Sequence, residues 1–193
     1  MAVDEAAHNS GGGDASGNAA FAPRLPLKLA RRIGNRQRVA SSPRERSDRD
    51  SKANKSMSDA NRDLVNLMID EIQNRKNIEL IDKIFSEDFL NHTPLQGIPN
   101  DRSGMRQLFS MTHVAFPDGV VVVEDQASSE NKVWTRKSFS GTHTGPLRGR
   151  AATGNKVTYE VFDILKIQDG KITEHWGSVD RLSILRQLDA IKP

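Results

Sequence analysis

The residues best placed to do acid–base chemistry are a carboxylate and an imidazole near the C-terminus. Asp163 shares one face of a predicted strand with Val161 and Leu165, because side chains alternate with period two along a strand. A carboxylate on such an apolar face is costly unless it is paired or used, so its position indicates a site. We expect burial to raise the pKa of Asp163 towards the range of a general base, with His175 on the following strand as its orienting partner.

Each of these residues also has a structural interpretation. Asp163 could form a salt bridge to Arg136 or cap a backbone group, and His175 could be a hydrogen-bonded histidine at a strand edge. Arg136, in the segment KVWTRKSFSG, could bind a substrate carboxylate or stabilise an enolate, or it could be the structural partner of Asp163. The sequence leaves these alternatives open.

Other candidate substrate-binding residues are polar and aromatic side chains in and between the predicted strands and helices. Asn91 and His92 lie in an irregular segment that we expect at the lip of a pocket, and His143 lies in the turn GTHTG. His113, on a predicted helix, is interpreted as a surface or packing residue. Aromatic side chains more often belong to a core, but in a hollow fold about half of them would line the cavity; they are Trp134, Tyr159, Phe162 and Trp176.

Several classes of protein have no support in the sequence. The chain of 193 residues contains no cysteine, which excludes disulfides, thiolate nucleophiles and cysteine-based zinc sites. Histidines at metal-binding spacing and a glycine-rich phosphate loop are both absent, so we expect neither a metal nor a cofactor. No apolar run approaches the ~18 residues of a membrane span, and no secretory signal is visible. We therefore expect a cytoplasmic protein without a membrane partner.

The basic character of the chain comes from its N-terminal part. Of its 28 Lys/Arg and 25 Asp/Glu, 11 and 6 lie in residues 1–56, which leaves 17 and 19 for residues 57–193. Residues 1–56 are rich in Gly, Ser and charge, a composition that predicts a disordered basic tail. Phe21 is the only aromatic residue among them, so a stacking surface for nucleic acid is not favoured. A single domain is predicted over residues 57–193.

Hydrophobic periodicity predicts helices first and strands afterwards. A first helix is capped by Ser58 or Asp59, a second short helix is entered through Asn77, and residues 86–94 are predicted to be irregular. A third helix is expected over 101–116 and a terminal one over 181–188. Strands are expected over 120–125, 132–140, 156–168 and 171–179, the last two joined by an Asp169-Gly170 turn. This order predicts an α+β fold.

Six short motifs in this order resemble those of a known family. They are FLNHTP (89–94), FPDG (116–119), GTHTG (141–145), ATGNKV (152–157), DILKIQDGKITEHW (163–176) and LRQL (185–188). On these motifs the chain is similar to the SnoaL-like polyketide cyclases and related ester cyclases, within the nuclear-transport-factor-2-like superfamily. The resemblance implies a cone in which N-terminal helices pack on a curved antiparallel sheet and enclose a deep, mostly apolar cavity.

The resemblance also implies a chemistry. Cyclases of this family work without cofactor or metal, by removing a proton α to a carbonyl and closing a ring through aldol attack. Their acid/base pair is a His on the penultimate strand and an Asp on the last strand. Carried through the common DGKI turn, these positions fall on Asp163 and Gly177, so this chain departs from the family at both.

Two hypotheses about function follow. In the first, the chain is a cofactor-independent enzyme that uses Asp163 with His175 on a small apolar molecule. In the second, it is a non-catalytic ligand-binding or association domain of the same fold. In either case we expect a homodimer through the outer face of the sheet, for which the predicted apolar residues are Val121, Val123, Val133 and Phe139.

Overall fold

The computed structural model describes residues 42–191 of the chain. Most of the predicted disordered tail, residues 1–41, therefore lies outside the described residues. The first helix, α1, spans Pro43–Leu67 and continues into a π-helical segment, Met68–Asn74. The predicted start of this helix at Ser58 or Asp59 is wrong. The described side chains between 42 and 56 are exposed, so this part of α1 has no apolar face from which periodicity could reveal it.

A strand occupies the segment that was predicted to be irregular. A 3₁₀ turn, Ile78–Leu80, leads into the short helix α2, Ile81–Ile84, and then directly into strand β1, Phe85–Asn91. Phe85, Phe89 and Asn91 are buried, whereas three of the four residues between them are exposed, namely Glu87, Asp88 and Leu90. This strand pairs with a segment more than 80 residues later in the chain, and local sequence patterns do not contain that pairing.

The five strands form an open sheet in the order β1-β5-β4-β3-β2. Strands β2 (Val120–Ser129), β3 (Lys132–Thr142), β4 (Lys156–Gln168) and β5 (Lys171–Val179) pair antiparallel with their neighbours, whereas β1 runs parallel to β5. The predicted sheet was wholly antiparallel, so the parallel edge is a correction. The β4–β5 hairpin is confirmed: Asp169 and Gly170 have φ of 51° and 71°, as a two-residue hairpin turn requires.

Helices cover one face of this sheet. Helix α3, Arg102–Ala115, is capped by Asp101, whose side chain accepts a hydrogen bond from the Gly104 N–H at 2.9 Å. Helix α4, Arg181–Gln187, is capped in the same way by Asp180. Buried side chains from α1, the π-helical segment, α3 and the inner sheet face form one core. The α+β class predicted from the sequence is confirmed. No helix within residues 42–191 is long and apolar enough to cross a membrane.

The outer face of the sheet carries different residues from those predicted. Val121, Val133 and Phe139 are buried on the inner face, and Val123, although 37% exposed, pairs in register with the buried Lys137. The prediction that these side chains lie on the outer face is therefore wrong. The exposed apolar side chains that belong to the outer face are instead Val120, Val122, Trp134 and Phe162.

Candidate functional site

A cavity of about 690 Å³ lies between the helices and the inner face of the sheet. Its wall is largely apolar, and it receives Asp163 and Gly177 from the two strands of the C-terminal hairpin. Apolar residues of the wall include Met68, Met105, Leu108, Phe109, Phe116 and Leu165. A cavity of this size with a few convergent polar groups is typical of a small-molecule site.

Asp163 lies at the centre of the polar groups in the cavity. In the strand register it stands between Thr135 on β3 and Gly177 on β5, and its side chain is 9% exposed. Its Oδ2 forms an ion pair with the ammonium of Lys137, and its Oδ1 is 3.1 Å from Nε2 of His175. The structure thus brings Asp163 and His175 together, and it replaces the expected partner Arg136 with Lys137.

The pKa of Asp163 is shifted in the opposite direction from the expected one. Burial by itself would raise this pKa, which is the effect expected from the apolar neighbours of Asp163 in the sequence. The nearby charge of Lys137 and the hydrogen bond from His175 outweigh burial and lower the pKa well below its usual range. Asp163 is therefore an ionised carboxylate at neutral pH, which makes it a weak base and a strong electrostatic partner for a cation.

His175 has a hydrogen-bond acceptor at each ring nitrogen. Its Nδ1 is 3.0 Å from Oδ1 of Asn91, its register partner on β1, and its Nε2 faces Asp163. The identity of the Asn91 oxygen follows from Thr93, whose backbone N–H donates to the same atom at 3.0 Å. An oxygen at each nitrogen suits a doubly protonated ring, so the two contacts stabilise the imidazolium that forms when the neutral ring accepts a proton at Nε2.

Lys137 was not recognised in the sequence analysis. Its side chain is only 4% exposed, and besides Asp163 it donates to Oε1 of Gln73 at 3.2 Å. Gln73 belongs to the π-helical segment, a geometry that often occurs at functional sites. The signal was present in the sequence, because Lys137 shares the period-two face of Val133 and Phe139, just as Asp163 shares that of its apolar neighbours.

Gly177 provides the space that His175 occupies. A Cβ added at Gly177 would lie 2.9 Å from Nε2 of His175 and 3.1 Å from Oδ1 of Asp163, closer than such contacts normally come. The backbone N–H of Gly177 donates to Oγ1 of Thr93 at 2.8 Å, which holds the strand in place. The missing side chain at 177 is thus a condition for the contact between Asp163 and His175.

Two of the predicted site residues lie on the opposite face of the sheet. Arg136 pairs in register with the outward-facing Phe162 and forms an ion pair with Glu160, at 3.0 Å between Nη1 and Oε1. Trp134 has the same parity and is 39% exposed. Neither residue lines the cavity, because side chains with even numbers on β3 point away from it.

His92 and Trp176 form a separate cluster near the end of β1. Their rings stack at a centroid distance of 4.3 Å, and Nε2 of His92 is 2.7 Å from a carboxylate oxygen of Glu174. Lys132 lies over the Trp176 ring at 5.2 Å. Neither His92 nor Trp176 lines the cavity, so the structure does not bring these predicted binding residues to it.

Of the remaining candidates, Tyr159 and Asn91 line the cavity and His143 does not. Tyr159 stacks on Phe139 at 4.8 Å between centroids, and burial raises the pKa of its hydroxyl. His143 is fully buried and accepts at Nδ1 from the backbone N–H of Thr153, at 3.2 Å, which indicates packing. His143 therefore does not line the cavity, where it was predicted as a substrate-binding residue.

His113 lines the cavity, whereas its position on a predicted helix indicated a surface or packing residue. Its ring lies near that of Phe109, at 6.5 Å between centroids. Burial, with a smaller contribution from the charge of Lys76, lowers the pKa of His113. Within residues 42–191, no cluster of three or more His, Cys, Asp or Glu side chains could hold a metal ion.

Comparison with known proteins identifies the family. The sequence profile of the SnoaL-like polyketide cyclases matches residues 63–188, and the chain belongs to this family. The matched segment contains every residue of the polar cluster around Asp163. The predicted function, a SnoaL-like enzyme of the polyketide and ester cyclase type, is confirmed at the level of the family.

Two individual relatives are themselves named as ester cyclases. The chain is 30% identical over 129 residues to the aklanonic acid methyl ester cyclases DauD of Streptomyces sp. (strain C5) and DnrD of Streptomyces peucetius. These matches cover 65% of this chain and 80% and 88% of the two relatives. The structure of AclR from Streptomyces galilaeus, a proposed hydroxylase, superposes with a TM-score of 0.63 at 25% identity, over 70% of this chain and 99% of AclR.

Proposed function

We propose that this chain is a cofactor-independent cyclase in which His175, held between Asn91 and Asp163, accepts a proton from the substrate and later returns it. The observation that carries the proposal is the contact of 3.1 Å between Nε2 of His175 and Oδ1 of Asp163 inside the cavity. A histidine oriented by a carboxylate is a common acid–base arrangement in enzymes. The substrate class is an enolisable carbonyl compound with an apolar body.

The two ring nitrogens of His175 have different roles. Because Asn91 presents an oxygen to Nδ1, that nitrogen keeps its proton throughout the reaction. Nε2 is then the atom that gains and loses a proton. Asp163, which the lowered pKa keeps ionised, stabilises the imidazolium that forms when Nε2 is protonated.

Lys137 stabilises the negative charge that develops on the substrate. Its ammonium has three donors, of which Asp163 and Gln73 accept two. One donor remains for the oxygen of an enolate. A cation that is fixed in a poorly hydrated wall stabilises such an oxygen more than water does, because it needs no reorganisation during the reaction.

These residues support an aldol ring closure. Nε2 of His175 takes a proton from the carbon α to a carbonyl, and the resulting enolate carbon attacks a second carbonyl of the same molecule. The new alkoxide takes the proton back from Nε2. One carbon–carbon bond forms, one carbonyl becomes a hydroxyl, and the mass of the substrate does not change.

The test uses aklanonic acid methyl ester, the compound in the names of DauD and DnrD, with the full chain. The expected product has the same mass as the substrate and one ring more. In D2O, exchange of the α-hydrogens measures proton removal separately from ring closure. His175→Gln should slow both reactions about 100-fold, and Arg136→Gln, on the outer face, should change neither.

A different mass would identify a different reaction. A product heavier by one oxygen atom would place the chain with the proposed hydroxylase AclR. The non-catalytic alternative predicts that the compound binds with the same affinity to the wild type and to His175→Gln, with no α-hydrogen exchange in either.

The homodimer stays a prediction, now with other residues. The outer face of the sheet exposes Trp134 and Phe162, at 39% and 50%, together with Val120 and Val122. Burial of such a face against a second copy is a common way to form a dimer. The cytoplasmic location and the absence of a nucleic-acid partner likewise stay predictions.

A further inference from the structure

The cavity wall carries more positive than negative charge. Its cationic side chains are Lys137, Arg148, Arg150 and Arg181, and its one carboxylate is Asp163. That carboxylate already forms an ion pair with Lys137 and a hydrogen bond with His175. It is therefore not available to neutralise the three arginines.

This basic wall does not reflect the composition of the domain. Residues 57–193 hold 17 Lys/Arg and 19 Asp/Glu, so the domain as a whole is slightly acidic. A concentration of positive charge in a cavity of such a domain attracts anions from solution.

The arginines of the wall are exposed at its rim, and none of them has an acidic partner, in contrast to two arginines outside the cavity. Arg136 forms an ion pair with Glu160, and Arg106 forms one with Asp82. The guanidinium of Arg148 donates to the backbone oxygen of Gln96 at 3.0 Å. Those of Arg150 and Arg181 have no hydrogen-bond or ion-pair partner among residues 42–191.

Two of these arginines are held by a tight turn. The backbones of Leu147 and Arg150 exchange two hydrogen bonds, of 3.0 and 2.9 Å, around Arg148 and Gly149. Both central residues have positive φ, 50° and 79°, as in a two-residue hairpin turn. The turn therefore fixes the backbone position of Arg150. Arg181 is the first residue of helix α4 and lines the same cavity.

We propose that the substrate is an amphipathic carboxylate whose anionic group binds Arg150 and Arg181. Its apolar body would lie against the methionine, leucine and phenylalanine side chains of the wall, with the reacting carbon at His175. Arginine suits this role because its planar guanidinium pairs with both oxygens of a carboxylate. This inference rests on the proposed function and narrows its substrate class. DauD and DnrD are named for a methyl ester, in which that carboxyl group would be neutral.

Binding of a matched pair of probes tests the charge preference without catalysis. 2-Naphthoate and methyl 2-naphthoate have the same apolar body and differ in charge. Titration calorimetry with the full chain should show tighter binding of the acid, and added salt should weaken the acid alone, because salt screens exposed charges. Arg150→Gln and Arg181→Gln should each weaken acid binding about 3- to 10-fold and leave ester binding unchanged.

Arg136→Gln is the control, because it removes an arginine from the opposite face of the sheet and should change neither affinity. Melting temperatures of the three variants show whether each is folded. Equal affinity for acid and ester, or no binding of the acid up to about 1 mM, would overturn the inference. 2-Naphthyl phosphate is the third probe, and tighter binding of the phosphate than of the carboxylate would overturn the choice of carboxylate.

A failure here is distinguishable from a failure of the proposed function. If the probes show no charge preference while His175→Gln still slows cyclisation about 100-fold, the inference is wrong and the proposed function stands. If the acid is preferred but no carbonyl compound is turned over, the anion site stands without the chemistry.

Discussion

The imidazole of His175 lies where a side chain at Gly177 would lie. Both residues belong to the same face of β5, and a Cβ at Gly177 would come within 2.9 Å of Cε1 and Nε2 of the ring. According to the family resemblance, the cyclases carry an aspartate at this position and a histidine where this chain has Asp163. On that resemblance, the carboxylate and the imidazole stand on exchanged strands in this chain.

A methyl group at position 177 should therefore separate the pair. In Gly177→Ala we expect the ring of His175 to move away from Asp163, and cyclisation to fall on the order of 100-fold, as for displaced catalytic groups. A crystal structure of the variant and its rate together check this. Ser178→Ala, on the exposed side of the same strand, is the control. An unmoved ring in Gly177→Ala would contradict the steric argument.

Removal of one partner of the ion pair between Lys137 and Asp163 should lower the free energy of unfolding, whereas replacement of both partners by apolar residues should restore most of it. Lys137→Met leaves a buried carboxylate without its cation, so we expect a loss of about 3–5 kcal/mol in the free energy of unfolding. Lys137→Met combined with Asp163→Leu should regain most of this stability, because apolar side chains fill the space without a charge. The double variant should have no cyclase activity. Denaturant unfolding and the rate assay measure the two effects; a double variant no more stable than Lys137→Met would contradict this account.

The pH dependence of stability should report the lowered pKa of Asp163. A carboxyl group whose folded pKa lies below its unfolded pKa of about 3.9 stabilises the fold above that value, and this contribution is lost as the pH falls through the folded pKa. Lys137→Met removes the main charge that lowers this pKa. The free energy of unfolding of the variant should therefore fall less steeply below about pH 4 than that of the wild type. Arg136→Met should retain the wild-type slope.

Substitution of one exposed aromatic residue should test the dimer. Phe162 is 50% exposed on the outer face, and Phe162→Glu would place a charge in any interface formed there. We expect the wild type to be a dimer by light scattering at micromolar concentration and the variant to be a monomer with an unchanged melting temperature. Glu160→Gln, on the same face, should remain a dimer. A monomeric wild type would exclude this mode of association.

Removal of residues 1–56 should leave the domain intact. The described side chains between 42 and 56 are exposed, so their loss removes little buried surface. The melting temperature of the chain that begins at Met57 should equal that of the full chain. A clearly lower value would show that the upstream turns of α1 contribute to stability.

The sequence by itself determined the local elements on which the site is built. Alternation along residues 156–168, with the Asp169-Gly170 turn after it, was enough to predict the hairpin and to place Asp163 on an apolar face; the register shift at Lys166 and Ile167 that brings His175 to this face is visible only in the structure. Such patterns depend on neighbours a few residues away, which the sequence contains directly.

Tertiary structure decided which groups meet these two residues and what charge they carry. Asn91 reaches His175 because β1 lies parallel to β5, a pairing between distant segments. Lys137 rather than Arg136 reaches Asp163 because the register of β3 turns one inwards and the other outwards. The direction of the pKa shift followed from that choice, since burial and a nearby cation act in opposite directions and only the packed strands establish which of the two dominates.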